Sequence, residues 1–278
     1  MFINFNQLNI TYMPDGQPHI IINKDWINDK PIDIICSIIS TEDLFVLGLL
    51  TDILKRHNSK RIVNLSIHYL LGSRMDRPIS DIEPNTLRVV CNYLNSLCVN
   101  IIVTFPHSSS TLDRLNCCQN IYGEMNFIED AIFSFIKNLN SNSIDLILPD
   151  SGSEKRFYND HYGIIQSLKN KYNIAVKNVI SCTKHRNMTT GKLFGFSVNS
   201  DKVSDNCIII DDLCDAGKTF SNIAQELRTK GAKKISLGVY HGIFSKGFPV
   251  RGIDSIYTTN SFRNDLVSDK YITIKNVI

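Results

Sequence analysis

Between Cys207 and Phe220 the chain reads CIIIDDLCDAGKTF, a stretch whose polar residues suit the capture of a phosphorylated sugar. Asp211 and Asp212 follow four apolar residues, Cys207 to Ile210, which the pattern assigns to a strand buried on both faces. After a loop from Leu213 to Lys218, Phe220, Ile223, Ala224 and Leu227 recur at helical spacing until Gly231 stops them. Backbone donors around Ala216, Gly217, Lys218 and Thr219, together with the Thr219 hydroxyl, suit a phosphate at the positive end of that helix. The paired carboxylates of Asp211 and Asp212 would then accept from sugar hydroxyls, so that a ribose carrying its phosphate into the loop satisfies both ends. A plainer reading stays open, in which an acidic strand-to-helix turn merely caps itself or faces water.

Loops of this kind do chemistry where they close the carboxyl edge of a parallel sheet, so the rest of the chain must supply one. Its first residues read as short strands turned by Pro14-Asp15-Gly16, with His19 to Ile22 returning alongside. Ile32 to Ser40 predicts a strand, Thr41 to about His57 a helix, and Arg61 to Ile67 the next strand. A loop at 68–78 carries Arg74, Asp76 and Arg77; a helix from Pro84 to Leu97 follows, then a strand from Asn100 to Phe105 ending at His107. The plan repeats with a helix at Phe127 to Leu139, a strand at Ile144 to Leu148 ending at Asp150, a helix to about Lys169, and a strand at Ile174 to Ile180. Residues 182–195 lack a period and predict a mobile flap. Strands at Lys234 to Val239, ending at His241, at Ser255 to Thr259 and at Tyr271 to Val277 complete the chain. The pattern predicts an α/β protein of two halves with one topology, divided near the Asn- and Ser-rich residues 140–143, so that the domains are 1–142 and 143–278.

Composition narrows the partners. A net charge of +3 over 278 residues, with no long basic run and no aromatic interleaving, argues against nucleic acid. Eight cysteines without a CxxC pair predict a reducing, cytoplasmic setting rather than disulfides, structural zinc or a redox dithiol. Neither a secretory signal nor a bilayer-spanning run is expected.

Taken in order, these segments resemble the ribose-phosphate pyrophosphokinase family along nearly the whole chain. IIIDDLCDAGKTF resembles the phosphoribosyl-diphosphate signature, which type I phosphoribosyltransferases share. Arg74-Met75-Asp76-Arg77 resembles the family's Arg-Gln-Asp-Arg segment that holds ATP, with Met75 in place of Gln. Met13-Pro14-Asp15-Gly16-Gln17 is similar to the Phe-Ser-Asp-Gly-Glu turn that receives adenine, with Met13 for Phe and Gln17 for Glu. Thr104 to Ser108 is similar to the segment whose His, here His107, helps hold a metal bound to ATP, although Phe105 stands where the family has Asp. Pro149-Asp150-Ser151-Gly152 resembles a segment whose Asp lies near metal; Lys184-His185-Arg186 matches Lys-Xaa-Arg on the catalytic flap, and YHGIFS at 240–245 is close to Thr-His-Gly-Val-Phe-Ser.

The resemblance implies two tandem phosphoribosyltransferase-like, Rossmann-like domains, each a mostly parallel sheet flanked by helices. It implies a Mg²⁺-dependent transfer of the pyrophosphoryl group of ATP to the anomeric hydroxyl of ribose 5-phosphate, in a homo-oligomer. Lys184, Arg186 and Arg74 would be catalytic, Asp211, Asp212, Asp215, Ala216, Gly217, Lys218 and Thr219 would bind the sugar phosphate, and Asp15, Gln17, Arg74, Met75, Asp76, Arg77 and His107 would bind ATP. His107 and Asp150 are the expected metal contacts. Met75, Phe105 and Gln17 motivate an alternative, a non-catalytic relative, and the sugar loop a second, a phosphoribosyltransferase.

Overall fold

The computed structural model describes residues 2–108, 110–116, 118–120, 123–139, 141–158, 161–186 and 193–278. The chain forms two compact units, residues 1–122 with 277–278, and residues 123–276.

The first unit opens with β1 (Phe2–Asn4) and the antiparallel hairpin of β2 (Ile10–Tyr12) and β3 (Pro18–Ile20). Then come β4 (Ile32–Ile38), α1 (Thr41–His57), β5 (Val63–Leu70), α2 (Thr86–Ser96), β6 (Asn100–Val103), α3 (Ser110–Arg114) and β7 (Cys118–Asn120). The sheet order is β1-β4-β5-β6-β7, and every pairing is parallel. Helix α1 starts where the sequence places it because Ser40 and Asp43 form a reciprocal capping box. Its buried stripe, Val46, Leu47, Leu50 and Leu54, joins Ile34, Leu65 and Ile67 of the sheet in one core. Truncating Leu50, which has no exposed surface, to Ala removes contacts worth about 2–5 kcal/mol. Trp26, which the sequence leaves unassigned, lies in a 3-10 turn that wraps a buried arginine. Arg61 donates to the carbonyls of Trp26 (2.6 Å) and Lys30 (2.9 Å), so one guanidinium closes the connection before β4.

The second unit comprises α4 (Gly123–Ile136), β8 (Ser143–Leu148), α5 (Ser151–Tyr158), α6 (His161–Tyr172), β9 (Ala175–Arg186) and β10 (Leu193–Val198). It continues with β11 (Asn206–Cys214), α7 (Lys218–Thr229), β12 (Lys234–Gly242), β13 (Ser255–Thr259) and β14 (Ile272–Lys275). The order is β10-β9-β8-β11-β12-β13-β14, antiparallel only at β10-β9. From β8 the chain builds one side of the sheet through β9, then crosses to β11 and builds the other. The order therefore reverses between β8 and β11, and the loops leaving their carboxyl ends diverge to open a crevice. Both units are thus α/β, with mostly parallel sheets flanked by helices.

Three features depart from the sequence reading. Helix α4, grouped by sequence with the first half, packs on the second sheet, with the Phe127 ring 5.3 Å from Tyr240 and 5.5 Å from Tyr257. Gly238 lets it approach, since a Cβ there would stand 3.1 Å from that of Ala131. The two sheets also differ in order, the first running in sequence without the reversal of the second. Finally, residues 182–186 belong to β9 and pair with β10 (Lys184↔Phe196, Arg186↔Leu193), giving a two-stranded ribbon where an aperiodic flap was expected. Such a ribbon satisfies its backbone through cross-strand bonds and needs no apolar alternation to form. Residues 187–192 lie outside those described.

Candidate functional site

Strand β11 does not end at its aspartates. It continues to Cys214 because β12 runs beside it (Leu213↔His241, Cys214↔Gly242), so Asp211 and Asp212 are neighbours inside an extended strand and face opposite sides of the sheet. Asp211 is half-buried, whereas Asp212 is 4% exposed, so the pair expected to share one sugar face is divided between two. The Asp212 amide donates to Asp211 Oδ1 at 2.9 Å, which fixes the outer carboxylate against the backbone.

After Cys214 the loop Asp215–Gly217 turns into α7. Gly217 has φ +75° and is the residue before the first helical turn, with no side chain capping that turn. The first backbone donors of this helix are therefore not met by the side chain of its cap residue. Lys218, which is exposed, and Thr219, which is half-buried, open the helix, while Phe220, Ile223, Ala224 and Leu227 anchor it on the sheet. The segment after β12 braces the loop. Ile243 and Phe244 amides both donate to the Cys214 carbonyl, at 2.9 and 3.1 Å, and the Ser245 hydroxyl donates to Asp215 Oδ1 at 2.6 Å. A Cβ on Gly217 would lie 3.1 Å from Val250 Cγ1, so the turn and this segment touch without slack.

Asp150 ends β8 on the other side of the crevice. Its Oδ1 accepts from the amides of Gly152 and Ser153, both at 2.9 Å, and the Asp150 amide donates to Ser153 Oγ at 3.1 Å. That is the geometry of a helix N-cap on α5, a structural commitment that the expectation of a metal contact did not include. Lys184 and Arg186 lie on β9, next to β8, and their side chains are outside the described part of the molecule. His241 is buried, with Nδ1 3.0 Å from Ser261 Oγ, and it holds the end of β12 rather than facing the loop surface.

In the first unit the expected ATP residues gather at the carboxyl edge of its sheet. Arg74, Met75 and Arg77 are exposed and Asp76 is half-buried in the turn after β5. That turn is tied to α2 by the Leu87 amide on the Met75 carbonyl at 3.2 Å and by Asn85 Nδ2 on the Asp76 carbonyl at 3.1 Å. His107 is half-buried after β6, the neighbouring strand, and Phe105 before it is buried at φ +55°. Asp15 and Gln17 sit in the β2-β3 turn and bond each other, Gln17 Nε2 to Asp15 Oδ2 at 2.9 Å. The hairpin reaches that same edge through the Tyr12 hydroxyl, which donates to Glu42 Oε1 in the first turn of α1 at 2.7 Å.

Local electrostatics remove some reactive groups. Burial, with the charges of Asp211 and Asp215 beside it, pushes the Cys214 thiol up to about 12, so the loop cysteine is no nucleophile at neutral pH. Burial raises the Tyr240 phenol and lowers His68, on β5, to about 4. Among the described residues no three His, Cys, Asp or Glu side chains converge as a metal cage. The carboxylates at the strand ends are oxygen donors, of the kind that a hard cation takes. Sequence reasoning passed over Ser245 and Val250 as site residues; the HGIFS segment was the available signal for the first.

No protein-family model matches the chain. The ribose-phosphate pyrophosphokinase of Mycoplasmopsis pulmonis is 27% identical over 99% of this chain and 83% of its own length. That of Pyrococcus furiosus is 27% identical over 91% of this chain and 85% of its own. The crystal structure of phosphoribosylpyrophosphate synthetase from Mycobacterium smegmatis shares the fold, with a TM-score of 0.73 at 17% identity over 97% of this chain and 86% of that one. Along nearly its whole length the chain is thus similar in sequence to ribose-phosphate pyrophosphokinases and in fold to a phosphoribosylpyrophosphate synthetase.

Proposed function

We propose that the protein transfers the pyrophosphoryl group of MgATP to the anomeric hydroxyl of ribose 5-phosphate, releasing AMP. One observation carries this reading: a helix start without a side-chain cap, reached through Asp211 to Gly217, stands at the point where the second sheet reverses its order. The sugar's 5-phosphate takes the amides of Gly217 to Thr219 and the Thr219 hydroxyl, while Asp211 and Asp215 accept from ring hydroxyls. Asp212, buried on the other face, holds the strand end rather than the sugar.

In the reaction the anomeric oxygen forms a bond to the β-phosphorus as the bridge to the α-phosphate breaks, and AMP departs with the bridging oxygen. Charge grows on phosphoryl oxygens, so catalysis rests on alignment and fixed cations. Arg74 and Arg77 bind the nucleotide phosphates, while Lys184 and Arg186, on the β9-β10 ribbon, supply charge to the transferred group and exclude water. Asp15, Gln17, Met75 and Asp76 set the nucleotide's orientation. His107 would contact the nucleotide phosphates, and Asp150, whose carboxylate caps α5, would hold the hydrated metal ion that comes with them. Mg²⁺ carried with the nucleotide would supply further compensation of phosphate charge when bound. A homo-oligomer completes the proposal.

Phe105 favours a second reading, a non-catalytic member of the family: its buried ring packs where a carboxylate would be needed. Asp211→Asn separates the two. Loss of ribose 5-phosphate binding together with sugar-dependent AMP formation supports the enzyme; sugar binding by the wild type without AMP formation under any divalent metal supports the second reading.

A further inference from the structure

The segment following β12 touches the sugar loop at three successive points: two amides on the Cys214 carbonyl, a hydroxyl on Asp215, and Val250 against Gly217. We infer that Ser245 is a positioning residue for the sugar, holding the Asp215 carboxylate in the one orientation in which it receives a ribose hydroxyl. The inference rests on the reading of the loop given above. The hydrogen bond, 2.6 Å, has the length usual for a hydroxyl on a carboxylate and joins residues thirty positions apart, so it is a tertiary contact and not a local turn.

The backbone around Ser245 is built to deliver its hydroxyl. Phe244 takes φ +47°, a conformation that non-glycine residues rarely adopt, and its ring is 2% exposed. That ring fills the space over Gly242, where a Cβ would lie 2.2 Å from it, and packs at a tilt against Phe248, ring centroids 4.5 Å apart. A buried aromatic in a left-handed conformation, with its own amide and the preceding one both anchored on Cys214, fixes where the next residue emerges. Ser245 itself is exposed, so packing does not account for it. Losing the hydroxyl removes one hold on the Asp215 carboxylate, so sugar binding must fix more of its orientation.

The test is Ser245→Ala and Ser245→Thr in the full chain, with ribose 5-phosphate binding followed by calorimetry and turnover measured with each substrate varied. The inference predicts that Ser245→Ala weakens ribose 5-phosphate binding, and raises its KM, about tenfold. The KM for ATP and the melting temperature stay at wild-type values, and Ser245→Thr, which keeps the hydroxyl, restores sugar affinity. Unchanged sugar affinity in Ser245→Ala overturns the inference. So does a parallel loss for both substrates with a lowered melting temperature, because that marks general loosening. Failure of the wild type itself to bind ribose 5-phosphate overturns the loop assignment, and this inference with it.

Discussion

Replacing Gly217 by Ala tests whether the loop is as tightly held as its contacts imply. At φ +75° an L-residue costs about 1 kcal/mol relative to Gly. The new Cβ would also meet Val250 at 3.1 and 3.2 Å, closer than ordinary contact, adding roughly 1 kcal/mol of strain or an equivalent shift of the loop. Val250 is 6% exposed and backed by the core of the second unit, so it has little room to retreat. Val250→Ala alone should cost about 2 kcal/mol through lost packing. The double variant relieves the clash but not the backbone cost, so it should be about 1 kcal/mol more stable than the sum of the singles predicts. Urea unfolding of the four proteins measures that coupling. Calorimetry with ribose 5-phosphate should show Gly217→Ala binding about tenfold more weakly, with partial recovery in the double variant. Strict additivity, or a Gly217→Ala protein with wild-type stability and sugar affinity, would refute the argument that the loop has no slack.

Lys184→Ala and Arg186→Ala should each lower turnover about a hundredfold, roughly 3 kcal/mol of lost charge compensation, at unchanged melting temperature; near-normal turnover in both removes the ribbon from the mechanism. His68, lowered to about 4 by burial, stays neutral in the folded protein while the unfolded chain takes up a proton below about 6.5. Its contribution is therefore complete above pH 6.5 and lost as pH falls toward 4; at pH 5 the loss is about 1–2 kcal/mol, allowing for the ring's partial solvent access. His68→Gln should be correspondingly less sensitive to a shift from pH 7.5 to 5 in urea unfolding, and an identical pH response in the two proteins would contradict this. Among the described cysteines, Cys98 is exposed and Cys214, pushed up to about 12, is buried. Brief iodoacetamide treatment of the native protein at pH 7.5 followed by peptide mass analysis should find Cys98 modified and Cys214 intact, and early labelling of Cys214 would mean that the loop opens.

Much of the second unit's site is legible because its local chemistry and long-range architecture coincide. Four apolar residues before Asp211, a glycine at the only left-handed position of the turn, and an amphipathic run from Phe220 all signal the same strand-loop-helix unit. The sequence is less informative where pairing partners decide. Nothing local says that β11 passes its aspartates, since β12 supplies the hydrogen bonds that extend it. The ribbon holding Lys184 and Arg186 is likewise a product of β10, fourteen residues or fewer away but invisible to a periodicity argument. Helix α4 carries the apolar face expected of it, yet only the small residue Gly238 reveals which sheet receives it. Asp150 shows the converse, for its helix-capping role is written in Asp-Ser-Gly-Ser but is eclipsed by a resemblance pointing to metal.

The central claim is that a pyrophosphoryl group moves intact to a sugar held over the start of α7. Incubating the protein with Mg²⁺, ribose 5-phosphate and ATP labelled at the β-phosphorus measures this directly. The account predicts that the label appears in the sugar diphosphate in step with AMP, one for one, and only when ribose 5-phosphate is present. Label retained in ATP, or released as free phosphate regardless of the sugar, would contradict it.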